Sequence, residues 1–295
     1  MSITTSNIKL STNDFRSVAR ALTIVENDLK GAEHLLKNLH FNKNVPVIGI
    51  TGPPGAGKST LVNSLIGDLT EKGAKIAILA IDPTSPFNLG SLLGDRIRMA
   101  THFNHPGVFI RSLATRGSLG GLSAKTIEMS DVLRASGFDY VFIETVGVGQ
   151  SEIEIAGLAD ITFVILVPEA GDEIQSIKSG LMEIADAFIV NKADRDGADL
   201  FANNLKKMVQ QKGVQTPVFK TMALQNTGIA GVVNFILLSA DIKNSRKEFL
   251  MAEKAYKIIQ QKRMAGVDKA KLQKAIAEAI TDPQFNLYSF VEGYF

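Results

Sequence analysis

Between residues 45 and 242 the chain alternates short β-branched runs with stretches of helical periodicity. Val45 to Thr51, Lys75 to Ile81, Val108 to Arg111, Tyr140 to Glu144, Ile161 to Val167, Ala187 to Val190 and Val218 to Thr221 each read as buried strands. Helical segments lie between them at Ser59 to Lys72, Leu122 to Ala135, Glu173 to Ile184 and Leu200 to Lys212. This order predicts an α/β fold, a mostly parallel sheet with helices on both faces and ligands at the carboxyl ends of the strands. Before it, Phe15, Val18, Leu22, Val25, Leu29, Ala32, Leu36 and Leu39 recur at three- and four-residue steps, the stripe of an amphipathic helix that Gly31 can split. That stripe predicts a helix packed on the main domain. After residue 242 the strand pattern stops, and Leu250, Ala255, Ile258 and Ile259, then Leu272, Ile276 and Ile280, mark helical faces with a break at Gly266. The expected organisation is a helical N-terminal extension (1–44), an α/β domain (45–242) and a helical C-terminal arm (243–295).

Composition narrows the function classes. Hydrophobic residues make up 45% and charged residues 21% of 295, a balance that supports a packed core. A net charge of +2 gives no electrostatic case for nucleic acid or an anionic membrane as a partner. The charge is uneven, since residues 243–274 hold ten Lys/Arg against three Asp/Glu, which reads as a solvated basic face or an electrostatic docking surface. With no cysteine, a disulfide framework, a thiolate nucleophile and any Cys-based metal site are excluded. The N-terminal residues show no secretory pattern, so a cytoplasmic location is the expectation. The most apolar run, Ile161 to Pro168, is far shorter than the ~20 residues of a spanning helix, so no membrane segment is expected.

Gly52-Pro53-Pro54-Gly55-Ala56-Gly57-Lys58-Ser59-Thr60 directly follows a predicted strand and opens a helix, the context that gives a G-x-x-x-x-G-K-[ST] match its meaning as a P-loop. Small residues let the backbone wrap a polyphosphate closely, so that successive N–H groups and the helix N-terminus face its oxygens. Lys58 is expected to bridge the β- and γ-phosphates, Ser59 to offer its hydroxyl to Mg²⁺, and Thr60 to lie near the α-phosphate.

A second constellation reads the base. Asn191-Lys192-Ala193-Asp194 stands at the carboxyl end of a predicted strand. A guanine edge offers two parallel donors, N1–H and the exocyclic amine, which one carboxylate accepts together; adenine presents an acceptor at N1. Asp194 therefore predicts guanine selectivity, and GTP and GDP as ligands. Asn191 is expected either to reach the base or to brace neighbouring loops, and the stem of Lys192 to cover the ring face. Thr221-Met222-Ala223-Leu224 forms a further loop, where the N–H of Ala223 is a candidate donor to the guanine oxygen.

Carboxylates beside the expected phosphates supply a metal shell. One strand ends in Asp82, another in Glu144-Thr145-Val146-Gly147-Val148-Gly149-Gln150. Mg²⁺ takes six oxygens and keeps several waters, so carboxylates acting through water suffice. Asp95 is a further candidate, and each of Asp82, Asp95 and Glu144 has the alternative of a helix cap or surface charge. Gly147 is expected to donate its N–H to the γ-phosphate, and loss of that phosphate would release the segment. Gln150 is the candidate for orienting the attacking water.

Together, Gly52 to Thr60, Asp82-Pro83-Thr84-Ser85-Pro86, Glu144 to Glu152 and Asn191 to Asp194 resemble the MeaB/ArgK family of P-loop GTPases. The resemblance covers roughly residues 15–240 and is most specific in the E-T-V-G-V-G-Q-S-E run. It implies a homodimeric G domain with helical extensions, the C-terminal arm serving dimerisation. It also implies a chaperone role, in which GTP hydrolysis gates adenosylcobalamin loading of a methylmalonyl-CoA-type mutase and protects that enzyme. By the same similarity Gln175 and Lys178 respond to nucleotide or to the mutase. Thr221 to Gly228 departs from the family's usual S-A-L-x-G-x-G. Three other readings compete: an ATP-dependent kinase or transport ATPase, which Asp194 argues against; a metallochaperone GTPase, for which His102 and His105 are the pair to weigh; and a nucleotide-binding clamp without turnover.

Overall fold

The computed structural model of the chain describes residues 10–41, 43–82, 100–114, 124–145, 155–170, 179–211, 216–240 and 247–294. Seven strands, β1 (Val47–Thr51), β2 (Ile76–Asp82), β3 (Val108–Ala114), β4 (Tyr140–Glu144), β5 (Ile161–Leu166), β6 (Ala187–Val190) and β7 (Val218–Lys220), form one sheet. Its order is β3-β2-β4-β1-β5-β6-β7, and every pairing is parallel. β1 is central, so the loop that follows it emerges between the carboxyl ends of β4 and β5.

β-Branched and aromatic residues suit these strands because both faces are covered. On one face Ile48, Ile50, Ile76, Ile78, Phe142, Phe163 and Ile165 pack against α3 (Lys58–Glu71) and α7 (Ile229–Ala240) through Leu61, Leu65, Ile66, Val232, Val233 and Ile236. On the other, Val47, Ala77, Leu79, Val141 and Ile143 meet α1 (Phe15–Glu26) and α4 (Ala124–Ala135). Further along that face Val164, Leu166, Phe188 and Val190 receive α5 (Ser179–Ile184) and α6 (Ala198–Gln211).

The N-terminal stripe is part of this core. Asp14 caps α1 by accepting the N–H groups of Arg16 and Ser17, and Val18, Ala21, Leu22 and Val25 are fully buried in the same cluster as the strands. At roughly 1.5–3 kcal/mol for each fully buried large apolar side chain, the sheet holds α1 firmly. Phe15 stacks on Phe138 at 5.9 Å and meets Phe109 edge-on at 5.5 Å. α1 ends at Asn27, and Gly31, at φ 96°, opens α2 (Ala32–Lys37), so the stripe splits as expected.

Beyond residue 246 the helices are α8 (Lys247–Met264), α9 (Lys269–Ala279) and α10 (Leu287–Glu292), with Gly266 in the break. α8 touches α4 and the turn Ile155–Gly157, and buries Lys254, which is 6% exposed. Burial pushes the Lys254 ammonium below its usual range against the pull of Asp131, and pushes the Asp131 carboxyl up. α9 and α10 bury no residue. Among the described residues no helix is long and apolar enough to cross a membrane.

Candidate nucleotide site

β1 ends at Thr51, and residues 52–57 turn back to start α3 at Lys58. Gly57 sits at φ 86°, and a Cβ there would lie 2.5 Å from Asn191 Nδ2, so only glycine lets the phosphate loop pass this close to the segment that follows β6. Lys58 is 7% exposed and donates to the carbonyls of Gly52 at 2.9 Å and Pro53 at 3.1 Å. The ammonium therefore lies inside the loop it is expected to serve. Gly52, Gly55, Ala56, Gly57, Ser59 and Thr60 surround the helix start, where backbone N–H groups and the helix dipole favour an anion.

Ser59 and Glu144 meet at the end of the sheet. The Ser59 hydroxyl donates to Glu144 Oε1 at 2.6 Å, and each residue is 4% exposed. The register puts Glu144 opposite Ile50 on β1 and Ala80 on β2, which brings a strand-end carboxylate beside the first turn of α3. Thr145 hydroxyl donates to Thr51 Oγ1 at 3.0 Å and its N–H to the Ile50 carbonyl at 3.0 Å, tying the ends of β4 and β1 together. That Thr51–Thr145 tie was not read from the sequence, because two threonines ending separate strands carry no spacing signal. Asp82 ends β2 at the same edge of the sheet, paired in register with Ala114. Asp95, Gly147, Gln150, Gln175 and Lys178 lie outside the described residues, as does the side chain of Asp82.

On the opposite side β6 delivers Asn191, 2% exposed. Of its two expected roles the structure shows the brace. Nδ2 donates to the Ala56 carbonyl at 2.9 Å, while Oδ1 accepts the Thr221 hydroxyl at 3.1 Å and the Ala223 N–H at 3.2 Å. One side chain thereby joins the phosphate loop to the loop after β7. Lys192, at φ 55°, extends across the same gap and donates to the Gly55 carbonyl at 2.7 Å. A cleft of about 140 Å³ opens between these segments, lined among others by Gly57, Thr60, Lys192, Asp194, Met222 and Ala223. Asp194 is exposed at its mouth, and Leu224, 91% exposed, is a further lining residue. Arg195 also lines it, paired with Glu169, and no sequence motif pointed to it.

His102 and His105 do not converge. A ring nitrogen of His102 meets the Asn63 carbonyl at 3.1 Å, and His105 Nδ1 accepts the Gly107 N–H at 3.1 Å. Among the described residues no cluster of three or more His, Cys, Asp or Glu is placed to hold a metal ion.

The sequence profile of the family described as methylmalonyl-CoA mutase-associated GTPase MeaB matches residues 18–278. The chain belongs to the MeaB family. A Pyrococcus horikoshii protein whose name carries the word GTPase is 48% identical over 229 residues, 75% of this chain and 72% of its own. GTPase ArgK of Escherichia coli is 39% identical over 193 residues, 64% of this chain and 58% of its own. The mitochondrial methylmalonic aciduria type A homolog of Mus musculus is 44% identical over 149 residues, 50% of this chain and 36% of its own. In fold, the crystal structure titled LAO/AO transport system kinase superposes with a TM-score of 0.69 at 23% identity, covering 100% of this chain and 98% of that one. HypB from Helicobacter pylori follows with a TM-score of 0.51 at 20% identity, covering 74% and 94%. This MeaB-family chain is a P-loop GTP hydrolase.

Proposed function

We propose that this GTPase is Mg²⁺-dependent and that its nucleotide state regulates an adenosylcobalamin-dependent mutase of the methylmalonyl-CoA type, gating cofactor loading and protecting the loaded enzyme. The observation that carries the chemical part is the convergence, at one edge of the sheet, of Lys58, the Ser59–Glu144 pair and the Asn191 brace. The family description, with its mutase-associated GTPase, supports the partner.

In this reading Asp194 accepts N1–H and the exocyclic amine of guanine, the Ala223 N–H donates to the ring oxygen, and Met222, Leu224 and the Lys192 stem flank the base. Lys58 leaves the carbonyls of its own loop for the β- and γ-phosphate oxygens and, with loop N–H groups, absorbs charge that develops as water attacks the γ-phosphate. Two buried oxygen-bearing side chains 2.6 Å apart suit a hard cation. Ser59 would hold Mg²⁺ directly, and Glu144, Asp82 and Asp95 would face it through water. When bound, the ion neutralises phosphate charge in the transition state. Gly147 donates to the γ-phosphate and Gln150 orients the water. The chain divides at residues 44 and 242, and the C-terminal arm pairs two copies into a homodimer. Product is GDP and phosphate, and the protein acts in the cytoplasm.

GTP turnover measured with and without a purified methylmalonyl-CoA mutase tests the partner. Stimulation of phosphate release, with co-elution of the two proteins, is expected. Identical turnover and no co-elution would remove the regulatory part while leaving the GTPase intact.

A further inference from the structure

Ser64 lies one helical turn beyond Thr60 on α3 and is not among the residues that the phosphate-loop motif names. Its hydroxyl donates to the Ala223 carbonyl at 2.8 Å, across 159 positions of sequence, with the Thr60 carbonyl a more distant acceptor at 3.3 Å. Ala223 is thus gripped on both sides of its Cα: its N–H, in the peptide shared with Met222, goes to Asn191 Oδ1 at 3.2 Å, and its carbonyl, in the peptide shared with Leu224, takes Ser64 and, at 3.3 Å, the Asn226 N–H. The rest of the loop is fastened to itself. Met222 and Thr227 exchange N–H···O bonds of 3.0 and 3.3 Å, and Gly228, at φ 77°, comes so near β7 that a Cβ would lie 2.1 Å from the Lys220 carbonyl. Among these contacts Ser64 alone ties the Ala223 carbonyl to the helix that starts at the phosphates.

We propose that Ser64 is a positioning residue for base recognition, holding the Ala223 amide at the angle that meets the 6-oxo group of the purine. The N–H and the carbonyl of Ala223 belong to successive peptide planes that meet at its Cα, so holding the carbonyl on one side and the N–H on the other leaves the residue little room to turn and keeps the N–H where it points. The Asn191 contact is the longer of the two and shares its N–H with any base oxygen that arrives, whereas the Ser64 contact is untouched by ligand. Because Ser64 and Thr60 share one helix, the 6-oxo contact is placed in register with the phosphate site. This inference rests on the guanine-site reading above and adds a specificity-determining group to it.

The test measures affinities of full-length protein for GDP, IDP and inorganic triphosphate. Guanine and hypoxanthine share the 6-oxo group and differ in the exocyclic amine assigned to Asp194. Ser64→Ala is therefore expected to weaken GDP and IDP by the same factor, about 3- to 10-fold for one lost hydrogen bond, while competition by inorganic triphosphate is unchanged. Ser64→Thr, which keeps the hydroxyl, restores both affinities. Wild-type affinities in Ser64→Ala would overturn the proposal, and so would a fall in triphosphate affinity equal to that for GDP, which marks a defect of the helix start instead. Asp194→Asn separates the two levels: an unchanged GDP-to-IDP ratio defeats the guanine reading itself, whereas a changed ratio beside a silent Ser64→Ala defeats the positioning role alone.

Discussion

Lys58 is held by two carbonyls of its own loop, so a nucleotide has to compete for a buried ammonium that already has partners. The exchange is favourable because phosphate oxygens carry full charge and carbonyls only a dipole. Lys58→Ala removes that gain and is expected to weaken GTP by about 100-fold, near 3 kcal/mol, in equilibrium titration; unchanged affinity would refute the cradle. Asp194 stands exposed at the cleft mouth, where its carboxylate is available to a base edge. Asp194→Asn replaces an acceptor by a group that can also donate, so preference is expected to move from GTP toward xanthosine triphosphate by roughly 100-fold in competition assays, and retained guanine selectivity counts against the assignment. The phosphate loop was legible because its glycines and lysine stand between a strand and a helix, and the structure ends β1 at Thr51 and starts α3 at Lys58. The role of Asn191 was half legible: a side-chain amide before a lysine can face a base or its neighbours, and only the fold shows it within 2.9 Å of Ala56 and 3.2 Å of Ala223.

Elements were legible where burial dictates composition. Tyr140 to Glu144 and Ala187 to Val190 appear with the boundaries that the sequence suggests, since both faces of a central strand demand apolar side chains. What fastens the strands at their amino ends was hidden. Asp139, Asp160 and Asp186 each stand one residue before a strand, and each accepts an N–H from the start of a neighbouring strand: Lys75 at 2.7 Å, Val47 at 2.8 Å and Thr162 at 2.8 Å. An aspartate before a strand reads as an ordinary turn residue, and its partner lies 64, 113 or 24 positions away. At Asp139 burial raises the carboxyl, but Lys43 and the Lys75 N–H outweigh it and hold it below the usual 3.8. A lowered folded value means that the stabilisation is present above the unfolded value and lost as pH falls through the folded one. Asp139→Asn is expected to cost about 1 kcal/mol at pH 7, with a melting temperature about 2 °C lower, and the gap to wild type should close in acid below that range. An equal gap at both pH values would show that the charge plays no part.

Over the whole molecule the two edges of the sheet have different work. The amino edge is fastened by carboxylates, whereas the carboxyl edge gathers the phosphate loop, Glu144, Asn191 and the Ala223 loop. The C-terminal helices divide along a similar line. α8 belongs to the folded body, with Lys254 sunk among Asp131, Arg134 and Asp160 and Ile258 against the core of the α1 face. α9 and α10 do not: Ile280, Leu287 and Tyr288 are 63%, 50% and 81% exposed. Apolar side chains left in water are a cost that association with another surface removes, which favours the arm as the place where the two copies of the proposed homodimer would meet. Ending the chain after Met264 tests this directly. Because nothing in α9 or α10 is buried, the shortened protein is expected to melt within about 3 °C of the full chain and to bind GDP as tightly. Its mass in sedimentation should fall from two copies to one. A shortened protein that still sediments as a dimer places the contact elsewhere on the body, and one that melts far lower makes the arm part of the fold it was expected only to join.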